Sequence, residues 1–130
     1  MNAGQFLILG ASVLASALSG SVLAQETQGP YVRLAQIEID PAQLESYKVA
    51  AREEIAESVR VEPGVLALYA VAEKDNPAHI IVFEMYRDVQ AYEAHLETPH
   101  FKKYKAATQD MVKSLKLIDT VPILLGAKGK

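Results

Sequence analysis

Cysteine and tryptophan are both missing from this chain of 130 residues. Without cysteine there is no disulfide, no thiolate zinc site, no cysteine nucleophile and no lipid anchored through that residue. Stability must come from packing or from association. Basic clusters are missing too: none is longer than Lys102-Lys103, and the net charge is −3. Nucleic-acid binding is therefore not expected. There is no glycine-rich phosphate loop, no dinucleotide fingerprint and no G-x-S-x-G elbow, which removes the usual nucleotide-binding and serine-hydrolase templates.

Charge is absent altogether from Met1 to Ala24, whose centre reads FLILGASVLASALSG. Val22 and Ala24 are small residues where a signal peptidase needs them. The segment resembles a secretory signal peptide cleaved after Ala24, although MNAGQ lacks the usual Lys or Arg. The other reading is an uncleaved anchor. Phe6 to Ala24 is just long enough to span a bilayer, but its many Ser, Gly and Ala residues would make a weak span. The expected organisation is a signal peptide over 1–24, a linker over 25–30, one domain over 31–126 and a tail over 127–130. The mature protein is expected to be periplasmic or secreted, with no stable membrane insertion.

The domain itself is patterned. YVRLAQIEI (31–39) is β-branched and apolar and reads as a strand. Asp40-Pro41 opens a helix, with Gln43 placed as a capping-box partner. Leu44, Tyr47, Ala51, Ile55 and Val59 then recur at spacings of three and four, an amphipathic stripe. Glu62-Pro63-Gly64 stops it. VLALYAVAE (65–73) and AHIIVFEMY (78–86) are strands joined by a Lys74–Pro77 turn. Asp88 caps a short helix through Glu97. Thr98-Pro99 caps another, with Phe101, Tyr104, Thr108, Met111 and Leu115 on one stripe. LKLIDTVPILLG (115–126) is expected as a fourth strand, with Pro122 at an edge or bulge. The order β-α-β-β-α-β is the split βαβ, ferredoxin-like arrangement, an α+β fold with a four-stranded antiparallel sheet.

Both faces of the strands are apolar. Ile80 and Val82 oppose Ile81, Phe83 and Met85; Leu66 and Leu68 oppose Val65 and Tyr69. Two main helices cover one face only. A bare apolar sheet face is unusual on a soluble monomer, so a homodimer packed through its sheets is expected.

The chemistry-bearing residues concentrate in EMYRDVQAYEAHLETPHF (84–101). Glu84 stands in an apolar strand and needs a partner, because an isolated buried charge is costly. Arg87 or a group across the dimer would serve, which makes Glu84 structural. Tyr86 ends the strand and either packs in the core or lines a cavity. The unperturbed pKa of the histidine side chain, about 6.5, makes His95 a candidate for proton abstraction near neutral pH. It equally suits a capping place at a helix C-terminus. His100, after Pro99, opens a helix and reads as structural or as a secondary pocket group. His79 reads as a surface or interface residue. A His95/His100 metal pair has no evident third ligand, so no metal is expected. Tyr69, Phe83, Met85, Tyr92, Phe101 and Met111 line a pocket or fill the core.

EPGVLALYAV followed by FEMYRDVQAYEAHLETPHFKKY resembles the antibiotic biosynthesis monooxygenase superfamily of dimeric α+β-barrel proteins. The similarity runs from about Val32 to Leu124. Its most specific part is Glu84, Tyr86, Asp88, Ala91, His95 and Thr98-Pro99-His100-Phe101, in that order and spacing. The resemblance implies a ferredoxin-like fold, a homodimer, and a pocket between the sheet and the short helical segment. It implies a cofactor-independent monooxygenase that uses O₂ on a quinol-like or other small aromatic substrate. His95 is then the base. Tyr86, Tyr69, Phe83, Tyr92, His100 and Phe101 are then substrate-binding. The haem-degrading branch is disfavoured, since its pattern calls for a tryptophan and for an asparagine that the first strand lacks. The alternative is a non-catalytic module of the same fold that binds a small hydrophobic ligand or serves as a dimeric interaction unit.

Cleavage after Ala24 gives the first prediction. N-terminal sequencing of the protein from its native host should begin at Gln25. Intact Met1 in a membrane fraction would favour the anchor.

Overall fold

The computed structural model describes residues 29–129. The expected signal peptide and cleavage point lie outside them. β1 (Tyr31–Ile39) leads through a short 3₁₀ turn (Pro41–Gln43) into α1 (Leu44–Val61). Next come β2 (Val65–Glu73) and β3 (Asn76–Tyr86), then α2 (Val89–Leu96), α3 (Pro99–Thr108) and β4 (Val112–Asp119). The strands form one sheet in the order β2-β3-β1-β4, with every neighbouring pair antiparallel. This is the ferredoxin-like α+β arrangement expected from the order of elements.

The caps form where the sequence places them, with one difference. Asp40 accepts from the Ala42 N–H at 3.1 Å. Gln43 does not close a capping box on the backbone; its amide donates to the Asp40 side chain at 3.0 Å. Asp88 accepts from Ala91 N–H at 2.8 Å and starts α2. Thr98 serves two helices, accepting from Phe101 N–H at 3.3 Å and donating to the His95 carbonyl at 2.7 Å. That fixes the angle between α2 and α3.

Several boundaries differ from expectation. β4 covers 112–119 rather than 115–126, and Pro122 lies beyond it. α3 ends at Thr108, so Met111 and Leu115 are not on its stripe. Thr108 donates its hydroxyl back to the Tyr104 carbonyl at 2.8 Å, and Met111 N–H returns to the Thr108 carbonyl at 2.9 Å. The chain turns there, early enough for β4 to pair with β1. A run of apolar residues gave no such signal. The hairpin is also tighter than expected: β3 begins at Asn76, leaving only Lys74-Asp75 between the strands.

The helices pack on one face of the sheet. Ala35, Ile37, Ile39, Tyr47 and Ile80 form one buried cluster, and Val65, Leu68, Tyr86 and Ala91 a second. α1 is rotated from its apolar stripe. Tyr47 is buried, but Val59 is 54% exposed, and the buried places after Tyr47 go to Glu54 and Ser58. A polar pair inside requires partners on the facing elements. On the other sheet face, Leu66, Tyr69 and Val71 are exposed.

The corner between α1 and β2 is backbone against helix. A Cβ on Gly64 would lie 2.5 Å from the Ala91 Cβ, closer than real carbon atoms approach. Gly64 is also fixed through its carbonyl, which accepts from Arg87 N–H at 2.8 Å. Only the missing side chain lets α2 sit on that corner.

Candidate active site

Between the helix-side face of the sheet and the three helices lies a cavity of about 530 Å³, within the range of small-molecule sites. Its sheet wall includes Arg33, Ala35, Leu68, Val82 and Glu84; its helix wall includes Tyr47, Glu54, Tyr92, His95, Phe101 and Tyr104. Leu115 and Leu117 of β4 also line it and are half exposed, so the edge strand is its open side.

Polar groups gather at one end of this apolar space. His95 is 3% exposed, its ring held between Phe101 (centroids 4.9 Å apart) and Tyr86 (5.4 Å). Its Nδ1 lies 2.9 Å from Glu62 Oε2. The same oxygen lies 2.6 Å from His100 Nε2. Glu62 is the residue before Pro63, and its backbone is extended, φ −99° and ψ 107°. Pro disfavours helical geometry in the residue ahead of it. Proline thus ends α1 and turns the Glu62 side chain away from the helix path toward the two histidines.

Glu62 is largely buried, which disfavours its charge. The hydrogen bonds from His100 and His95 and the nearby His95 charge outweigh that, and its carboxyl is held below the ordinary 4.5. An ionised carboxylate only accepts. Each histidine therefore presents an N–H to it, and neutral His95 carries its proton on Nδ1. Its Nε2 is then the basic lone pair. That atom faces Glu54 Oε1 at 3.4 Å, and the same oxygen takes the Ser58 hydroxyl at 2.7 Å.

Glu84 stands on the sheet wall. Burial pushes its carboxyl above the ordinary value; the Tyr86 hydrogen bond and the Arg33 charge pull the other way without prevailing. Tyr86 hydroxyl donates to it at 2.6 Å. Burial and the Glu84 charge raise the Tyr86 pKa strongly, so this phenol stays protonated. Tyr47 and Tyr104 share a hydroxyl–hydroxyl bond of 2.7 Å, and burial raises both.

Of the residues singled out from sequence, His95, Tyr92 and Phe101 stand on the cavity wall. Tyr86 does not: it is fully buried beneath His95. His100 lies behind Glu62 and borders a separate hollow of about 130 Å³ between α1 and α3. Tyr69 and Phe83 stack on the opposite sheet face, 6.1 Å between centroids, outside the cavity. The strand alternation places odd residues of β3 there. Glu84 is bonded to Tyr86 and not to Arg87, which pairs with Asp88 at 3.3 Å. His79 pairs with Glu73 on the hairpin at 3.0 Å.

Sequence reasoning missed Arg33, Glu54 and Glu62. Signals existed for each. Arg33 shares strand parity with Ala35, Ile37 and Ile39; Glu54 and Ser58 are four apart on the Tyr47 side of α1; Glu62 precedes a helix-ending proline.

Glu54 also supplies the third ligand type that the His95/His100 pair lacked on sequence grounds. One ligand atom from each of Glu54, His95 and His100 lies within 4.8 Å of the others. Ligand atoms around one tetrahedral zinc ion stand closer, about 3.3 Å apart. Glu62 engages one nitrogen of each histidine and leaves the other free, as carboxylates also do behind metal-bound histidines. The spacing is what fits a hydrogen-bonded network better than a closed metal cage.

One sheet under three helices, with a histidine–carboxylate network facing an apolar cavity, defines a small ferredoxin-like protein with a cavity of small-molecule size. A family model described as antibiotic biosynthesis monooxygenase matches residues 30–107. The chain belongs to the antibiotic biosynthesis monooxygenase family. It is similar to a Bacteroides thetaiotaomicron protein named for that family, with 54% identity, coverage of 78% of this chain and 97% of that one, and a TM-score of 0.75. A Lactobacillus acidophilus protein named as a monooxygenase is 32% identical, with a TM-score of 0.71; the match covers 73% of this chain and 45% of that one. A Nitrosomonas europaea protein, 23% identical over 72% of this chain and 99% of its own, shares the fold with a TM-score of 0.69. A comparison with curated proteins gives no match.

Acid titration checks the network. Glu62 has a folded pKa below its unfolded value. Its charge therefore contributes stability that is present above pH 4.5 and lost as the pH falls through the lower folded value. Glu62→Gln should flatten the acid limb of melting temperature against pH. It should also lose about 1–3 kcal/mol near neutral pH in denaturant unfolding, because the buried His95 Nδ1–H loses a charged acceptor. An acid limb and a stability equal to wild type would count against the bridge.

Proposed function

We propose that the protein is a monooxygenase acting on a small quinol-like aromatic with O₂. The observation that carries this reading is the orientation of His95 by Glu62 at the wall of an aromatic and aliphatic cavity that opens along β4. Family membership supports it, as do the monooxygenase names of the two relatives above 30% identity.

In this reading His95 Nε2 takes the phenolic proton. Glu62 keeps Nδ1 protonated and stabilises the imidazolium that results, as a carboxylate does in a His–Asp pair. The phenolate is electron-rich enough to react with O₂. One oxygen atom enters the ring at carbon and the other leaves as water. A quinol plus O₂ becomes a hydroxyquinone plus water, so the substrate itself supplies the electrons. The ring lies among Tyr92, Phe101 and the aliphatic residues of the sheet, which exclude bulk water.

Oxygen uptake over a panel of hydroquinones tests the proposal. His95→Ala should lower turnover by about 10²–10⁴-fold. The buried ring also anchors Glu62, so the variant should melt lower, and rates belong well below its transition. Full turnover in His95→Ala would place the base elsewhere. Hydroquinone binding with no oxygen uptake would point to the ligand-binding module instead.

We also propose that two copies pair through the outer sheet face. Leu66, Tyr69 and Val71 are exposed there, around the Tyr69–Phe83 stack. Light scattering at micromolar concentration should give a dimer, and Val71→Glu should give monomer or aggregate. A stable wild-type monomer would sink the pairing.

A further inference from the structure

Arg33 is a buried charge that the reaction above does not use. It is 6% exposed and lies on the cavity wall. Among the described residues it forms no ion pair, and its Nε has no hydrogen-bond partner. A buried guanidinium without an anion is costly, and carboxyl groups do stand nearby. The residues directly opposite Arg33 on its two neighbouring strands are both acidic, Glu84 on β3 and Asp119 on β4. Each is taken by a tyrosine instead. Tyr86 hydroxyl bonds Glu84 at 2.6 Å, and Tyr31 hydroxyl bonds Asp119 at 2.8 Å. The guanidinium carbon sits 4.5 Å from the centre of the Tyr92 ring. A cation–π contact of this kind holds the group in place while satisfying none of its N–H donors.

We infer that the ligand of this cavity carries a carboxylate, which Arg33 binds. The planar fork of a guanidinium matches a carboxylate with two parallel hydrogen bonds. The inference rests on the quinol-oxygenase reading and narrows it to hydroxylated aromatic acids. Arg33 holds the carboxylate, the aromatic ring fills the space beside Tyr92 and Phe101, and a hydroxyl faces His95. Arg33 is a binding residue here, with no part in proton transfer.

The probes are 2,5-dihydroxybenzoate and its methyl ester, which differ at the carboxylate alone. Calorimetric titration without oxygen should show the acid binding wild type about 10- to 100-fold tighter than the ester, the span of one charged hydrogen-bonded contact. Arg33→Met should erase that preference, and Arg33→Lys should keep part of it. Ligand-free Arg33→Met should melt no lower than wild type, because it removes an unpaired buried charge. Equal affinity of wild type for acid and ester would overturn the inference. So would a preference that survives in Arg33→Met, or a clear fall in that variant's ligand-free melting temperature. Oxygen uptake separates the two readings. Carboxylate preference without turnover removes the oxygenase and leaves Arg33 as an anion site. Turnover of acid and ester alike does the reverse.

Discussion

The Glu62 carboxylate accepts from two imidazoles at once, His95 Nδ1 and His100 Nε2. Most of the site depends on this contact. It sets the tautomer of His95, and with it which nitrogen is free to act as a base. It ties the end of α1 to both α2 and the start of α3, elements that meet at the Thr98-Pro99 break. The contact exists because Pro63 ends α1 one residue later. A helix continuing through that position would carry the carboxylate around its axis and away from the histidines.

Polar burial explains why the helices sit as they do. Glu54, Ser58, His95 and Thr108 are all buried, and each has a partner within the fold. Such a set fits one rotation of α1 and one angle of α2, because a slip leaves donors and acceptors unpaired at a cost of about 1–3 kcal/mol each. Apolar packing alone would tolerate several rotations. The Tyr47–Tyr104 bond adds the same discrimination between α1 and α3.

The order of elements, the caps at Asp40, Asp88 and Thr98, and the sheet topology were legible in the residues. Each has a local cause: period-two or period-three-and-four patterning, a side-chain acceptor at a helix start, a proline at the first turn. The end of α3 and the extent of β4 were not legible. They depend on a turn after Thr108 and on pairing with β1, which are tertiary facts. The site was half legible. His95, Tyr92 and Phe101 sit in one recognisable stretch. Glu54, Glu62 and Arg33 come from three distant places in the chain and meet only when the sheet and helices close. Tyr69 and Phe83 misled because aromatic identity says nothing about which sheet face a residue occupies, and both faces here are apolar.

The contact of Gly64 with Ala91 separates the parts of the molecule that are free to vary from those that are not. There the backbone of one element rests directly on another, and both members of the His95–Glu62 pair lie near it in the chain. Their spacing is therefore fixed by main-chain contact rather than by the side chains around the ligand. Residues such as Ala35, Leu68, Val82 and Leu117 line the cavity from the sheet, and exchanging them would reshape its volume without moving His95. A lineage built on this frame can change what fits the cavity while keeping the geometry of its histidine–carboxylate pair, and that freedom traces to one glycine.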